Sequence, residues 1–254
     1  MNYHRQILLL DLFIPSNRYV SGSRKLKQLM TAERYGEPSD EGCLHTPRTS
    51  QGLIVFEGHN QLFASIYGHR ALVLRHLTEI TKLKWRALAG RYSSAVIGIN
   101  IRRGKDFQDA QQAADYLMKG ALRTPLVWFR NSVEYVRRLL GYCAPAIVVT
   151  DGEAADVGAV LSLANVTLVR PGCAVSDLIA LSNTKVLIGS GGSSFSAWAS
   201  YLGAMPTITM PGQSLEWFKL RHPNGAFVGT YDSDKPDRDC EAQLRELGTW
   251  LKRS

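Results

Sequence analysis

The sequence predicts an α/β chain in which residues 93–254 form a doubly wound parallel sheet. Two observations carry the prediction. Runs of four to seven largely apolar residues recur at 95–101, 146–150, 166–169, 185–189 and 206–209. Between them lie stretches whose apolar residues fall three and four apart. Strands buried on both faces read as near-continuous apolar runs, and helices that cover a sheet carry such a stripe. Strict alternation of the two makes a parallel sheet with helices on both faces.

The elements follow in order. The apolar run at the N-terminus is short and broken by Asp11, with no small-residue cleavage site after it, so no leader peptide is expected. Residues 16–50 are polar, and the basic run Arg24-Lys25-Leu26-Lys27 reads as a solvated face. Residues 52–56 read as a short strand. Residues 60–82 have helical character, with Leu62, Ile66, Val73, Leu77 and Ile80 on one face. The first strand of the main sheet is 95–101. Thr124 is placed as the N-cap of the next helix, with Pro125 at its first position. Leu126, Phe129, Val133, Val136 and Leu140 form its stripe, and Gly141 ends it. After the strand at 146–150 comes a helix carrying Val157, Val160, Leu161 and Ala164. Ser176 is placed as the cap of a short helix through Leu181. A helix with Phe195, Trp198, Ala199 and Leu202 follows the strand at 185–189. The last helix presents Cys240, Leu244, Leu247 and Leu251 on one stripe.

Composition narrows the partners. The 254 residues are 45% hydrophobic and 20% charged, which is globular composition for one large domain or two modest ones. The formal net charge of +8 favours anionic partners: phosphorylated substrates, nucleic acid or an acidic membrane surface. Nucleic acid ranks last, because no helix carries a dense basic face interleaved with aromatics. No run approaches the ~20 apolar residues of a membrane span, which leaves only peripheral membrane association. Of the cysteines, none forms a C-x-x-C pair, and Cys143 and Cys173 read as core thiols. That pattern fits a reducing compartment, and a cytoplasmic location is expected. The histidines lack metal-binding spacing, and Asp232-Ser233-Asp234 reads as a solvated turn, so no metal site and no cofactor are expected.

In doubly wound sheets, ligands sit outside the carboxyl ends of the strands. Asn100-Ile101-Arg102-Arg103-Gly104-Lys105-Asp106 leaves the first strand. Its arginines offer planar forks that can bind phosphate bidentately. Asp151, after the second strand, either caps the next helix or reaches a ribose hydroxyl. Asp177 complements a helix dipole. After the fourth strand, Gly189-Ser190-Gly191-Gly192-Ser193-Ser194-Phe195-Ser196 joins permissive backbone, hydroxyls and a helix N-terminus into an anion site. It is neither a Walker loop nor a G-x-G-x-x-G turn.

Together these stretches resemble the α-1,2-fucosyltransferase family and its wider fucosyltransferase relatives over roughly Phe56 to Leu220. The family's H-x-R-R-x-D is matched by the stretch from Asn100 to Asp106. Its D-L-x-L-M-S and N-S-S-F-S-W-W are matched by Asp177–Ser182 and by Gly192–Trp198. The helix opening Leu126-Val127-Trp128-Phe129 and the pair Thr150-Asp151 are similar to further parts. The resemblance implies a GT-B-like fold: a Rossmann-like donor domain at 93–254 beside a short acceptor-side region at 1–92. It also implies a GDP-fucose donor, a glycan acceptor, and inverting transfer without metal. By the same resemblance Arg102, with Arg103, holds the donor phosphate. Asp177 contacts guanine, and Ser193, Ser194 and Phe195 line the pyrophosphate and ribose. The general base is Asp106, with Asp109 and Glu57 as runners-up. Asn100 stands in place of the motif histidine, Lys105 displaces its acid to Asp106, and Ala197 replaces its first tryptophan. The family's G-G-L-G-N-Q segment has no counterpart before Gly52. A nucleotide-sugar-binding relative that has lost acceptor chemistry is therefore the alternative.

Overall fold

The computed structural model describes residues 13, 22–35, 53–54, 62–112, 115–118, 121–170 and 172–253. Six strands form one wholly parallel sheet: β3 Ile97–Ile101, β4 Ala146–Thr150, β5 Val166–Leu168, β6 Val186–Gly189, β7 Thr207–Thr209 and β8 Val228–Thr230. Their order across the sheet is β5-β4-β3-β6-β7-β8. Counted from the first strand of the sheet this is 3-2-1-4-5-6, the Rossmann order. The predicted doubly wound α/β architecture is what the chain adopts. β3 is flanked by β4 and β6, so the chain reverses direction across the sheet between β3 and β6, at the switch point.

Side-chain alternation splits the core into two layers. Ala146 and Val148 of β4, with Val186 and Ile188 of β6, face a cluster built on Phe129, Val133, Val136 and Leu140 of α5 Leu126–Leu140 and Leu244 of α9 Arg238–Leu251. Ile147, Val149 and Leu187 face the opposite layer. That layer holds Ala89 of α3 Leu83–Gly90, Ala180 and Leu181 of α7 Ala174–Ser182, and Ala199 of α8 Ser194–Gly203. Each large aliphatic side chain so buried stabilises the fold by about 1.5–3 kcal/mol. Gly141 ends α5 at φ 76°, its N–H bonding Arg137 O at 2.9 Å, as the sequence predicts.

The N-terminal elements are small. α1 Gly22–Thr31 precedes β1 Arg34–Tyr35, which pairs in parallel with β2 Leu53–Ile54. A 3-10 run, Leu62–His69, leads into α2 Arg70–Ile80, and the one-turn α4 Asp115–Met118 lies between β3 and α5. This segment docks on the main sheet's helices. Phe63 packs with Tyr201 and Phe218, Tyr201 Oη donates to Ile66 O at 2.6 Å, and Arg70 Nη1 donates to Leu202 O at 2.7 Å. Glu57 lies outside the described residues.

Several expectations are corrected. β8 was not predicted, because its run Val228-Gly229-Thr230 is short and interrupted by glycine; it forms by pairing with β7 at the sheet edge. Thr124 does not cap α5. Pro125 holds that position, while the buried Thr124 hydroxyl donates to Gln213 Oε1 at 2.6 Å. Cys173, not Ser176, is the N-cap of α7. Ser176 closes a capping box from inside the helix, its Oγ accepting from Cys173 N at 2.9 Å. The helix after β4 is a 3-10 turn and a single α-turn, α6 Gly158–Leu161, that stops before Ala164. The helical stretch near residue 60 begins as a 3-10 run and breaks at Thr81. The polar region 16–50 contains a helix, α1. Cys143 is exposed beyond the end of α5, whereas Cys173 is buried as expected.

Two glycine substitutions test the packing. A Cβ at Gly248 in α9 would lie 2.6 Å from Leu140 O, so α9 and α5 approach through this glycine. Gly248→Ala gains helix propensity of up to about 1 kcal/mol, yet overpacking costs about 1–3 kcal/mol. Its melting temperature should fall, while that of Gly158→Ala, whose Cβ meets nothing within 4 Å, should hold or rise. Thermal melts of both variants check the pair.

Candidate functional site

The switch point is tied together by buried polar groups. Asn100, 2% exposed near the end of β3, donates from Nδ2 to Ser196 Oγ at 2.7 Å and to Ser193 Oγ at 3.4 Å. Ser190 Oγ accepts from Arg102 N at 3.0 Å and donates to Asn100 O at 3.1 Å. Ser196 Oγ donates to Ser190 O at 3.1 Å, and Ser193 caps α8 by accepting from Ser196 N at 3.3 Å. A side chain at Gly191 would overlap the Gln213 carbonyl, and Gly192 has φ +66°. The close approach and the left-handed backbone are why glycine occupies both positions. The N-terminus of α8, with its dipole and first-turn amides, is thereby set beside the end of β3. Ser194 there is exposed and Phe195 half-buried, while Ser193 and Asn100 are spent on building the turn.

Two carboxylates position Arg102. Its Nη2 pairs with Asp106 Oδ2, and its Nε lies 3.0 Å from Asp151 Oδ2. Its guanidinium also stacks 4.9 Å above the Phe107 ring. Asp151 Oδ1 accepts from Arg103 N at 2.6 Å, so Asp151 neither caps the helix after β4 nor stands free. Asp156 does the local turn work, accepting from Glu153 N at 2.8 Å. Local spacing suggests a cap or a ribose contact for Asp151 and carries no signal of its reach to the segment leaving the neighbouring strand β3. Arg103 departs in the other direction, donating from Nη2 to Thr124 O at 3.1 Å. Burial, then the neighbouring Arg123, lower its pKa. Arg102, Asp106 and the serine turn are thus gathered at one place, and the Arg103 side chain is not among them.

Asp177 lies on α7, 7% exposed, with Ser176 Oγ donating to its Oδ1 at 3.4 Å. Burial raises its pKa to about 7, against the opposing effects of that hydrogen bond and of Arg170. Arg170 Nη2 donates to Gly152 O at 2.7 Å, linking the loop before α7 to the end of β4. Away from these residues, His222 is buried with Nε2 3.0 Å from Ser200 Oγ, and burial lowers its pKa to about 4. Asp109 is an exposed partner of Arg123 at 3.1 Å. The Asp232-Ser233-Asp234 stretch folds into an exposed turn in which Asp234 N donates to Asp232 Oδ1 at 2.9 Å. Among the described residues no group of three His, Cys, Asp or Glu side chains is arranged to hold a metal, and no helix is long and apolar enough to cross a membrane.

No family profile matches the chain, and no curated protein is significantly similar to it. Solved structures give weak likenesses. POFUT1 in complex with GDP is 12% identical with a TM-score of 0.39, over 55% of this chain and 50% of that one. POFUT1 in complex with GDP-fucose is 11% identical with a TM-score of 0.34, over 54% and 50%. The UDP-GlcNAc 2-epimerase of Methanocaldococcus jannaschii, in complex with UDP-GlcNAc and UDP, is 10% identical with a TM-score of 0.42, over 78% and 47%. The chain spans about half the length of each. Likenesses this slight carry no argument; the fold assignment stands on the strand order and register.

Asp177 and His222 give the protein a defined pH response. Asp177 has a folded pKa of about 7 against 3.8 unfolded, so its protonated form is favoured in the fold. That contribution is whole below pH 3.8 and is lost as pH rises to about 7. His222 acts oppositely: its neutral form is favoured, and stability falls as pH drops from 6.5 towards about 4. Asp177→Asn removes the first effect. Its stability relative to the unmodified protein should therefore climb between pH 4 and 8, by on the order of 1–3 kcal/mol. Melting curves across that range measure it, and a pH-independent difference would show that Asp177 is not a buried carboxyl.

Proposed function

We propose that the switch-point crevice binds a nucleotide-sugar and that the protein is a glycosyltransferase, with GDP-fucose as donor. The observation that supports this best is the polar seam of Asn100, Ser190, Ser193 and Ser196. It holds a positioned arginine and a helix N-terminus together at the strand ends, where doubly wound folds bind phosphates. In this reading Arg102 and the amides at the start of α8 receive the diphosphate. Ser194 and Phe195, with the backbone at Ser193, line the pyrophosphate and ribose. Asp177 accepts the ring N1–H and exocyclic amine of guanine, a donor pair that adenine and uracil lack. The acceptor is a glycan hydroxyl. Its oxygen attacks the anomeric carbon, the bond to the β-phosphate oxygen breaks, and GDP departs with the bonding pair. Asp106 takes the hydroxyl proton, and Arg102 stabilises the charge developing on the leaving diphosphate. No metal is required, since guanidinium and amide donors supply the compensation.

The pairing of Asp106 with Arg102 favours a second reading, a nucleotide-sugar-binding protein without transfer activity, because a carboxylate held by an arginine must share its lone pairs. Donor hydrolysis and transfer assays with a panel of glycans separate the readings. If transfer occurs, Asp106→Asn should lower turnover at least tenfold with GDP affinity nearly unchanged. Unchanged turnover removes Asp106 as base.

Calorimetry with chelator present should show undiminished GDP binding; restoration by manganese after loss would overturn the metal-free reading. Arg102→Ala should weaken GDP by about ten- to a hundredfold, the effect of losing a charge-assisted bond worth roughly 1.5–3 kcal/mol. Arg103→Ala should do less, since its side chain points away. Asp177→Ala should abolish most of the preference for GDP over ADP and UDP in competition binding, and a preference left intact would assign Asp177 a purely structural role.

A further inference from the structure

Arg103 and Arg123 face a second space that the donor reading does not use. It is a cleft of about 520 Å³ lined by Arg103, Asp109, Tyr116, Arg123, Leu126 and Asp156, among others. That volume is within the roughly 300–1,000 Å³ of small-molecule sites. The cleft opens beyond β3 and β4 and is floored by the first turn of α5. Arg123 Nη2 donates to Arg103 O at 2.9 Å, which locks the two arginines side by side. The Nε of each is shielded from solvent and has no acceptor. Asp109 compensates Arg123 at 3.1 Å, while Arg103 has no carboxylate partner for its guanidinium among the described residues. Burial, then Arg123, lower the Arg103 pKa, against the opposing effects of Asp109, Asp156 and Tyr116. The remaining lining is suited to hydroxyls: Asp109 and Asp156 are acceptors, and the Tyr116 phenol, whose O–H is donated to Arg123 O at 3.4 Å, can also accept.

We propose that this cleft binds an acidic sugar, its carboxylate or phosphate seated between Arg103 and Arg123 and its hydroxyls received by Asp109, Asp156 and Tyr116. Two adjacent guanidinium forks match a planar or tetrahedral oxyanion, and a cleft holding both arginines and carboxylates suits a polyol with one acid group better than a bare polyanion. The binding chemistry stands on these residues alone. A role for the ligand as the acceptor rests on the transferase reading.

Calorimetric titration of the full chain at constant ionic strength, with glucuronate, glucose 6-phosphate, inorganic phosphate and glucose, tests the inference. Glucuronate or glucose 6-phosphate should bind saturably in the millimolar range or tighter, and glucose should not. The stronger of the two identifies the acid group, and phosphate binding as well as glucose 6-phosphate overturns the sugar assignment. Arg123→Gln should weaken the acidic sugar about tenfold or more with GDP affinity unchanged. Glucose binding equal to that of the acidic sugars, no binding of either, or displacement of the acidic sugar by GDP overturns the proposal. Acidic-sugar binding in a protein that does not bind GDP leaves the cleft assignment standing and sinks the donor reading instead.

Discussion

The Asn100 side chain, buried near the carboxyl end of β3, donates across the switch point to Ser196 and Ser193. A buried amide without partners would cost about 1–3 kcal/mol, so once this residue is inside, the serine turn has to come to it. Ser190 completes the seam by accepting from Arg102 N. The start of α8, the exit of β3 and the aim of Arg102 therefore depend on one another. Asparagine serves here as a donor to two hydroxyls, a structural use of the position.

The charges beyond that seam are arranged in layers. Asp151 reads the backbone N–H of Arg103 with one oxygen and approaches Arg102 Nε with the other, so the end of β4 sets the conformation of the segment leaving β3. Asp106 pairs with the same guanidinium from the following turn. A guanidinium held by two carboxylates is oriented before any ligand arrives, which lowers the ordering cost of binding.

The adjacent arginines divide their work because the chain alternates as it leaves the strand. Arg102 stays with the switch point. Arg103 turns towards Thr124 and Arg123, on the side of α5. Adjacent basic residues thus serve two spaces separated by the backbone between them.

The sequence by itself determined the sheet. Five of its strands are apolar runs that can be stable only when covered on both faces, and their alternation with amphipathic stretches leaves a parallel sheet as the way to bury them. It also marked the Asn100–Asp106 and Gly189–Ser196 stretches, because charge and glycine interrupt the apolar pattern at the strand ends. Tertiary structure alone decided β8, whose short glycine-containing run becomes a strand only against β7, and the cap of α7, where Cys173 outcompetes the expected Ser176. It alone decided that Thr124 bonds Gln213, 89 residues away, instead of capping its own helix. It alone joined Asp151 to the two arginines and sent those arginines to different spaces. Periodicity reports which face of an element is buried, a local property. Hydrogen bonds between strand ends are set by the order in which strands lie side by side, and that order is written in no single stretch of the chain.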